Sequence, residues 1–428
     1  MMRMPQIAFL NALRFRRNAS GQRRALQTSV IEGIPATIIG NILGGPILTA
    51  FLLYLHADST SVGLVLAIQS LANIVQVFAA FFMQRMENRK FWMALTGTLH
   101  RGLWVLTGLI PVLLPEPARV PAFIALFALS FMSLAVSGVV WSSLMSDMVP
   151  AQVRGRYFGV RNTIHLAFAS AALLLSGQVL ELAGSPAAGF AILYSAAAVC
   201  VVWNSVMLFR YPNPPFEKSR ETTGLGRLLK PFRDRTFIVA TAFIALFILI
   251  QNAAVPLFSY VMLDILEVNY STVTAVTTVQ MIVMMISYYV WGSLNARYPA
   301  MTLLLCSLPF IALACVLWAG LAFLPAVVVL LLVHIALGIG QGGYNLLNFT
   351  FLIGDTPKAD RPMYIAVFSA ATGLMGFIGP LIGGGIYDAI AGGPAWMGQY
   401  GVSMFAGLIM TALAGAGPFI LAAARRSR

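Results

Sequence analysis

The sequence predicts an all-α membrane protein of twelve transmembrane helices arranged as two pseudo-symmetric six-helix bundles. Three observations carry that prediction. The 428-residue chain is 59% hydrophobic and only 10% charged, more apolar surface than a soluble domain of that length hides in a core. Twelve apolar runs approach the roughly 20 residues that a helix needs to cross about 30 Å of hydrocarbon. They are 28–54, 62–83, 91–114, 121–144, 159–181, 187–209, 236–262, 271–292, 300–322, 325–350, 363–387 and 397–423. The third observation is a skeleton that occurs twice, 207 residues apart: Pro150, Arg154 and Tyr157, then Pro357, Arg361 and Tyr364. Pro46, Ser59, Thr60 and Gln69 find counterparts in Pro256, Ser271, Thr272 and Gln280, as expected of one unit written twice.

Charge placement supports the count independently. Lys and Arg collect on the cytoplasmic side of spans. With both termini inside, 25 of the 27 basic residues fall in cytoplasmic segments or at their edges, leaving Arg119 outside and Arg101 within a span. The outer loops hold Asp58, Glu116, Glu181, Asp264, Glu267 and Asp388. The net charge of +13 is therefore mostly a topology signal, and no nucleic-acid partner is implied.

Along the chain, residues 1–27 form a basic cytoplasmic segment, read either as a helix on the inner leaflet or as a solvated tail. The first bundle, 28–209, begins with a span carrying Glu32 near its cytoplasmic edge and Asn41 before Gly44, Gly45 and Pro46, where a bend is expected. An acid inside a span costs several kcal/mol unless paired or hydrated, which makes Glu32 the first candidate for proton coupling. His165 in the fifth span and His334 in the tenth are the other candidates, because imidazole titrates near neutrality. Arg101, about mid-depth in the third span beside His100, can hold an anionic substrate or tie helices together through backbone carbonyls. Ser130, Ser133, Ser137 and Trp141 share a face of the fourth span, read as cavity lining or close packing.

The linker 210–235 is rich in Pro and charge and is the one long interior connection, so the second bundle is 236–423 and the tail 424–428. Gln251 and Asn252 precede Pro256 in the seventh span as Asn41 precedes Pro46 in the first. In the tenth span His334, Gln341, Asn345 and Asn348, with Tyr344 adjoining, recur at helical spacing on one face. Such a stripe must face protein or a wet cavity rather than lipid. The eleventh span, with Gly376, Gly379, Pro380, Gly383, Gly384 and Gly385, reads as a narrow packing element. In the two repeated loops, Asp147 with Arg154 and Tyr157, and Asp355 with Arg361 and Tyr364, are candidates for a cytoplasmic gate, since a cation is favoured at a helix C-terminus and can pair with the acid.

Twelve spans, a 6+6 division and a long basic central loop resemble the major facilitator superfamily. The loop with Pro150, Arg154 and Gly155 resembles its P-x-x-x-R-G pattern, and Gln84–Lys90 resembles its D-R-x-G-R-R/K loop. The latter departs from the pattern with Gln84 at the acid position and Glu87 at the glycine position. The resemblance implies a secondary active transporter that moves a small solute across a bacterial inner membrane by alternating access, ion-coupled and monomeric. It also implies a central cavity lined by spans one, four, seven and ten, which would include Asn41, Gln251, Asn252 and the tenth-span stripe. No GxxxxGK[ST], HExxH or GxSxG occurs, so neither an ATP motor, a cofactor nor enzymatic chemistry is expected. Two alternatives stand beside this reading: metal (iron) transport in a specialised membrane such as the magnetosome, through His100, His165, His334 and Glu32 but without metal-ligand spacing, and a non-transporting sensor or assembly scaffold.

Overall fold

The computed structural model describes residues 21–83, 88–149, 154–213, 231–295, 297–354 and 361–426. Among them every expected apolar run is helical. The first span is a broken pair, α1 (Gly21–Ile42) and α2 (Gly45–Tyr54), bent by 44°. There follow α3 (Ser59–Met83), α4 (Arg89–Leu106, continued by helical turns to Leu113), α5 (Glu116–Met148), α6 (Arg154–Leu182) and α7 (Pro186–Leu208). The second half runs α8 (Arg235–Ala254, continued by turns to Ile265), α9 (Tyr270–Asn295), α10 (Ala300–Leu317), α11 (Ala326–Gly354), α12 (Arg361–Ala389) and α13 (Val402–Arg426).

Among the described residues nine of these are long and apolar enough to cross a membrane, and the bent pair makes ten. The other two expected spans are α3, 25 residues long, and α4, whose run of basic residues Arg89, Lys90 and Arg101 dilutes its apolar character. Local chemistry sets several starts. Asn88, Ser185 and Asp234 cap α4, α7 and α8 by accepting from the N–H groups of Phe91, Ala188 and Phe237. The bend in the first span needs both of its glycines. A Cβ on Gly44 would strike the carbonyl of Gly40, and Gly45 takes φ +54°. Its counterpart also breaks at proline, with a tight turn at Val255–Leu257 around Pro256.

Packing repeats as the sequence does. In the first half α1 lies against α6 and α7, and α4 against α5 and α7; in the second, α8 lies against α12 and α13, and α10 against α11 and α13. Residues form two compact units, Met1–Leu55 with Val75–Arg220 and His56–Ile74 with Glu221–Arg428. Large apolar side chains such as Leu175, Val199, Val202, Ile286 and Phe419 point outward, the surface expected against lipid.

Candidate functional site

In the first unit an ionisable cluster buried among the helices is built around Glu32. Residues Gly21–Ile42 place Glu32 inward on α1, where it is 3% exposed. A buried carboxylate costs several kcal/mol unless its oxygens are paired. Each oxygen has a partner. Asn204 on α7 donates from Nδ2 to Oε1 at 2.9 Å and to the Glu32 carbonyl at 2.9 Å, and the Tyr211 hydroxyl, three residues beyond α7, donates to Oε2 at 3.2 Å. Arg101 on α4 brings Nη2 to 3.8 Å from Oε1, while its Nη1 donates to the Gly97 carbonyl at 3.1 Å. Arg101 thus bonds a carbonyl of its own helix and faces the Glu32 carboxylate. Behind Tyr211, Trp141 on α5 directs Nε1 to the phenol oxygen at 3.4 Å, and the Arg161 guanidinium lies 4.8 Å from the Trp141 ring. Burial and the nearby Glu32 charge push the Tyr211 phenol well above the ordinary tyrosine value, so it stays a donor.

The histidines are placed otherwise. His165 on α6 donates from Nε2 to the Val30 carbonyl at 3.0 Å, His100 from Nδ1 to the Ser130 carbonyl at 3.0 Å, and His334 from Nδ1 to the Leu330 carbonyl at 2.7 Å. A carbonyl only accepts, so each ring carries a proton on that nitrogen. No three His, Cys, Asp or Glu side chains gather into a group among the described residues.

In the second unit the tenth-span stripe divides. Gln341 accepts from Gln280 Nε2 of α9 at 3.0 Å, Asn345 reaches the Tyr288 hydroxyl of α9 at 3.5 Å, and Asn348 reaches the Tyr344 hydroxyl one turn back at 3.5 Å. His334 is 2% exposed and turned onto its own helix, so the polar face begins at Gln341. Beside the bends, Asn41 and Asn252 each donate to the carbonyl four residues back, Thr37 at 2.8 Å and Ile248 at 3.0 Å. Buried Gln251 Oε1 has no hydrogen-bond partner among the described residues.

The tyrosines that follow the repeated loops bond or pack within their own bundles. Tyr157 donates to the Leu26 carbonyl of α1 at 3.0 Å, and the Tyr364 ring packs edge-on against Phe237 of α8 with centroids 4.6 Å apart. Each repeated tyrosine therefore joins the fifth span of its half to the first. Asp147 takes Arg89 as its cation at 2.7 Å, with Ser143 supporting the same guanidinium at 2.7 Å. Arg154 and Arg361 open α6 and α12, but their side chains, like the whole of Asp355, lie outside the described residues.

Sequence reasoning missed Asn204, Tyr211 and Arg89. Asn204 is an amide inside an apolar span, a signal that was available; Tyr211 sits in the polar linker, where nothing marks it as buried. Asp388, assigned to an outer loop, accepts from Ser59 Oγ, Thr60 Oγ1 and the Thr60 N–H, joining α12 to the start of α3 within the second unit.

Solved structures with the same fold are numerous. The chain is similar to a bacterial homolog of the human lysosomal transporter Spinster in an inward-facing, unoccupied conformation (14% identity, TM-score 0.71, 95% of this chain and 98% of that one). It is similar to a point mutant of the nucleoside transporter NupG (13%, 0.70, 94% and 99%) and to a bacterial homologue of the iron transporter ferroportin (13%, 0.68, 92% and 97%). At these identities the likeness concerns the fold alone. No curated protein matches the chain in sequence. The Major Facilitator Superfamily model matches residues 36–262 and 243–426, each repeat in turn, and with the repeated helix packing this establishes that the chain belongs to the major facilitator superfamily of membrane transporters.

Proposed function

We propose that the protein is a proton-coupled secondary transporter of a small polar solute in a bacterial inner membrane, with both termini cytoplasmic. The observation that carries this reading is the buried Glu32–Arg101 pair at 3.8 Å. That separation is too long for a direct hydrogen bond and short enough for strong attraction at low dielectric. Protonating Glu32 discharges the pair and frees Arg101 to hold an anionic group of the solute; ionised Glu32 and that group compete for one guanidinium. Membership in a transporter family and the amide-rich face of α11 support a polar cargo, and the segregation of Lys and Arg supports the orientation. Alternating access between the two bundles is the mode of movement expected of the fold.

Reconstituted protein in liposomes tests this. A proton gradient should drive accumulation from a panel of labelled nucleosides, sugars and organic anions, and Glu32→Gln should abolish that drive while leaving exchange of the same solute across the membrane. Gradient-driven accumulation at the wild-type level in E32Q would exclude Glu32 as the coupling group.

A further inference from the structure

Tyr211 lies outside the helices, at the start of the segment that joins the two halves, yet it is 1% exposed. Its backbone N–H donates to the Leu208 carbonyl at 3.3 Å, and its ring packs in a cluster with Ala25, Met93, Val140 and Leu208. Two residues further on, Asn213 Oδ1 accepts from the Lys90 N–H at 3.4 Å, so the first stretch of the linker is sewn into the bundle. An apolar side chain would fill the same space. A phenol there adds one thing, a donor 3.2 Å from Glu32 Oε2, itself backed by Trp141 Nε1.

We infer that Tyr211 is a positioning residue for Glu32, holding one oxygen of the ionised carboxylate so that the beginning of the interdomain linker is tied to the charge state of that side chain. The inference rests on Glu32 being the coupling carboxylate, and it adds a linker residue to that site. A hydrogen bond donated to the charged form favours that form. When Glu32 takes up a proton, the phenol loses its anionic acceptor, and the hold on the linker weakens at the same step that frees Arg101. The charged and titratable groups facing Glu32 are Arg101 from α4, and His165 and Tyr157 from α6, which Arg161 of the same helix also faces, with the neutral amide of Asn204 from α7. Tyr211 is the neighbour that belongs to no helix.

The test is an infrared pH titration of the purified full-length protein, which needs no solute. The carboxylic acid C=O band that vanishes in Glu32→Gln reports Glu32. In Tyr211→Phe, which keeps the ring and its packing, the midpoint of that band should move up by about one pH unit, roughly a tenfold change in the proton concentration required. Trp141→Phe, which removes the donor behind the phenol without touching Glu32, should move it in the same direction by less, and it decides the matter if Tyr211→Phe does not fold. An unchanged midpoint in the folded variants, or no Glu32 band in any protein between about pH 4 and about pH 9, would overturn the inference. Liposome flux separates the two readings: loss of proton drive in E32Q with an unmoved band in Y211F sinks only the role of Tyr211, whereas full proton drive in E32Q sinks the coupling role of Glu32 and the linker's part with it.

Discussion

At the scale of single residues, Arg101 and Glu32 are worth more together than apart. Removing one partner of a buried pair strands the other in a low dielectric, whereas removing both leaves only neutral groups. Arg101→Gln should therefore lower stability by about 3 kcal/mol, the lower end for a broken buried pair given the 3.8 Å separation. The double variant Arg101→Gln with Glu32→Gln should recover most of that loss, read as melting temperature of the purified protein in detergent. Equal losses in the single and double variants would show that the guanidinium is held mainly through Gly97 and not by the carboxylate. Both residues were legible in the sequence as charges inside apolar runs, because a charge there is costly and stands out. Their pairing was not legible, because it depends on how α1 and α4 are rotated about their axes. The histidines stood out for the same reason, and the carbonyls that their rings meet, at Val30, Ser130 and Leu330, likewise follow from how the helices are rotated.

At the scale of elements, the glycines of α12 show how a helix can be read correctly as a packing element without its partners being known. A Cβ on Gly383 would meet the Ala253 carbonyl of α8, and one on Gly379 would lie 2.8 Å from the Leu249 carbonyl. Backbone atoms cannot swing aside as a side chain can, so the two helices would have to part. Gly384 meets the carbonyl of Ser59 in the same way, which is how α12 comes close enough for Asp388 to reach Ser59 and Thr60. Gly385 has nothing within 4 Å of an added Cβ. Gly383→Ala should then cost about 1–3 kcal/mol from overpacking, while Gly385→Ala should be neutral or stabilising by up to about 1 kcal/mol from helix propensity. Thermal unfolding of the two variants side by side checks this, and equal melting temperatures would contradict the close approach of α8 and α12. The bend at Gly44–Pro46 was legible from the Gly-Gly-Pro run itself, because few other residues permit that backbone. The tight turn at Pro256 was legible only through the repeat, since no glycine accompanies it.

At the scale of the whole molecule, the charge pattern constrains topology less tightly than the count of spans suggests. Removing one span reverses every later loop, but removing an adjacent pair restores the alternation. The two expected spans outside the count of ten, α3 and α4, are such a pair. If neither crossed the membrane, all loops from α5 onward would keep their sides, and only the short segment between α3 and α4 would change. That segment and the first turn of α4 carry Arg85, Arg89 and Lys90, three basic residues that would then lie outside against the positive-inside rule. Arg89 also pairs with Asp147 at the end of α5, opposite in the chain to Glu116 at its start, so α4 begins beside the far end of α5 from Glu116. Twelve crossings therefore predict that, in a variant with Cys200, Cys306 and Cys315 replaced, a cysteine at Asn88 reacts with a membrane-impermeant maleimide only after permeabilisation. A cysteine at Glu116 should react from outside in intact cells. Loss of the Asn88 cap costs about 1 kcal/mol, too little to unfold a bundle of this size. Labelling of both positions from outside would leave ten crossings, and the buried Arg101 of α4 would then lack the membrane setting on which its role beside Glu32 depends.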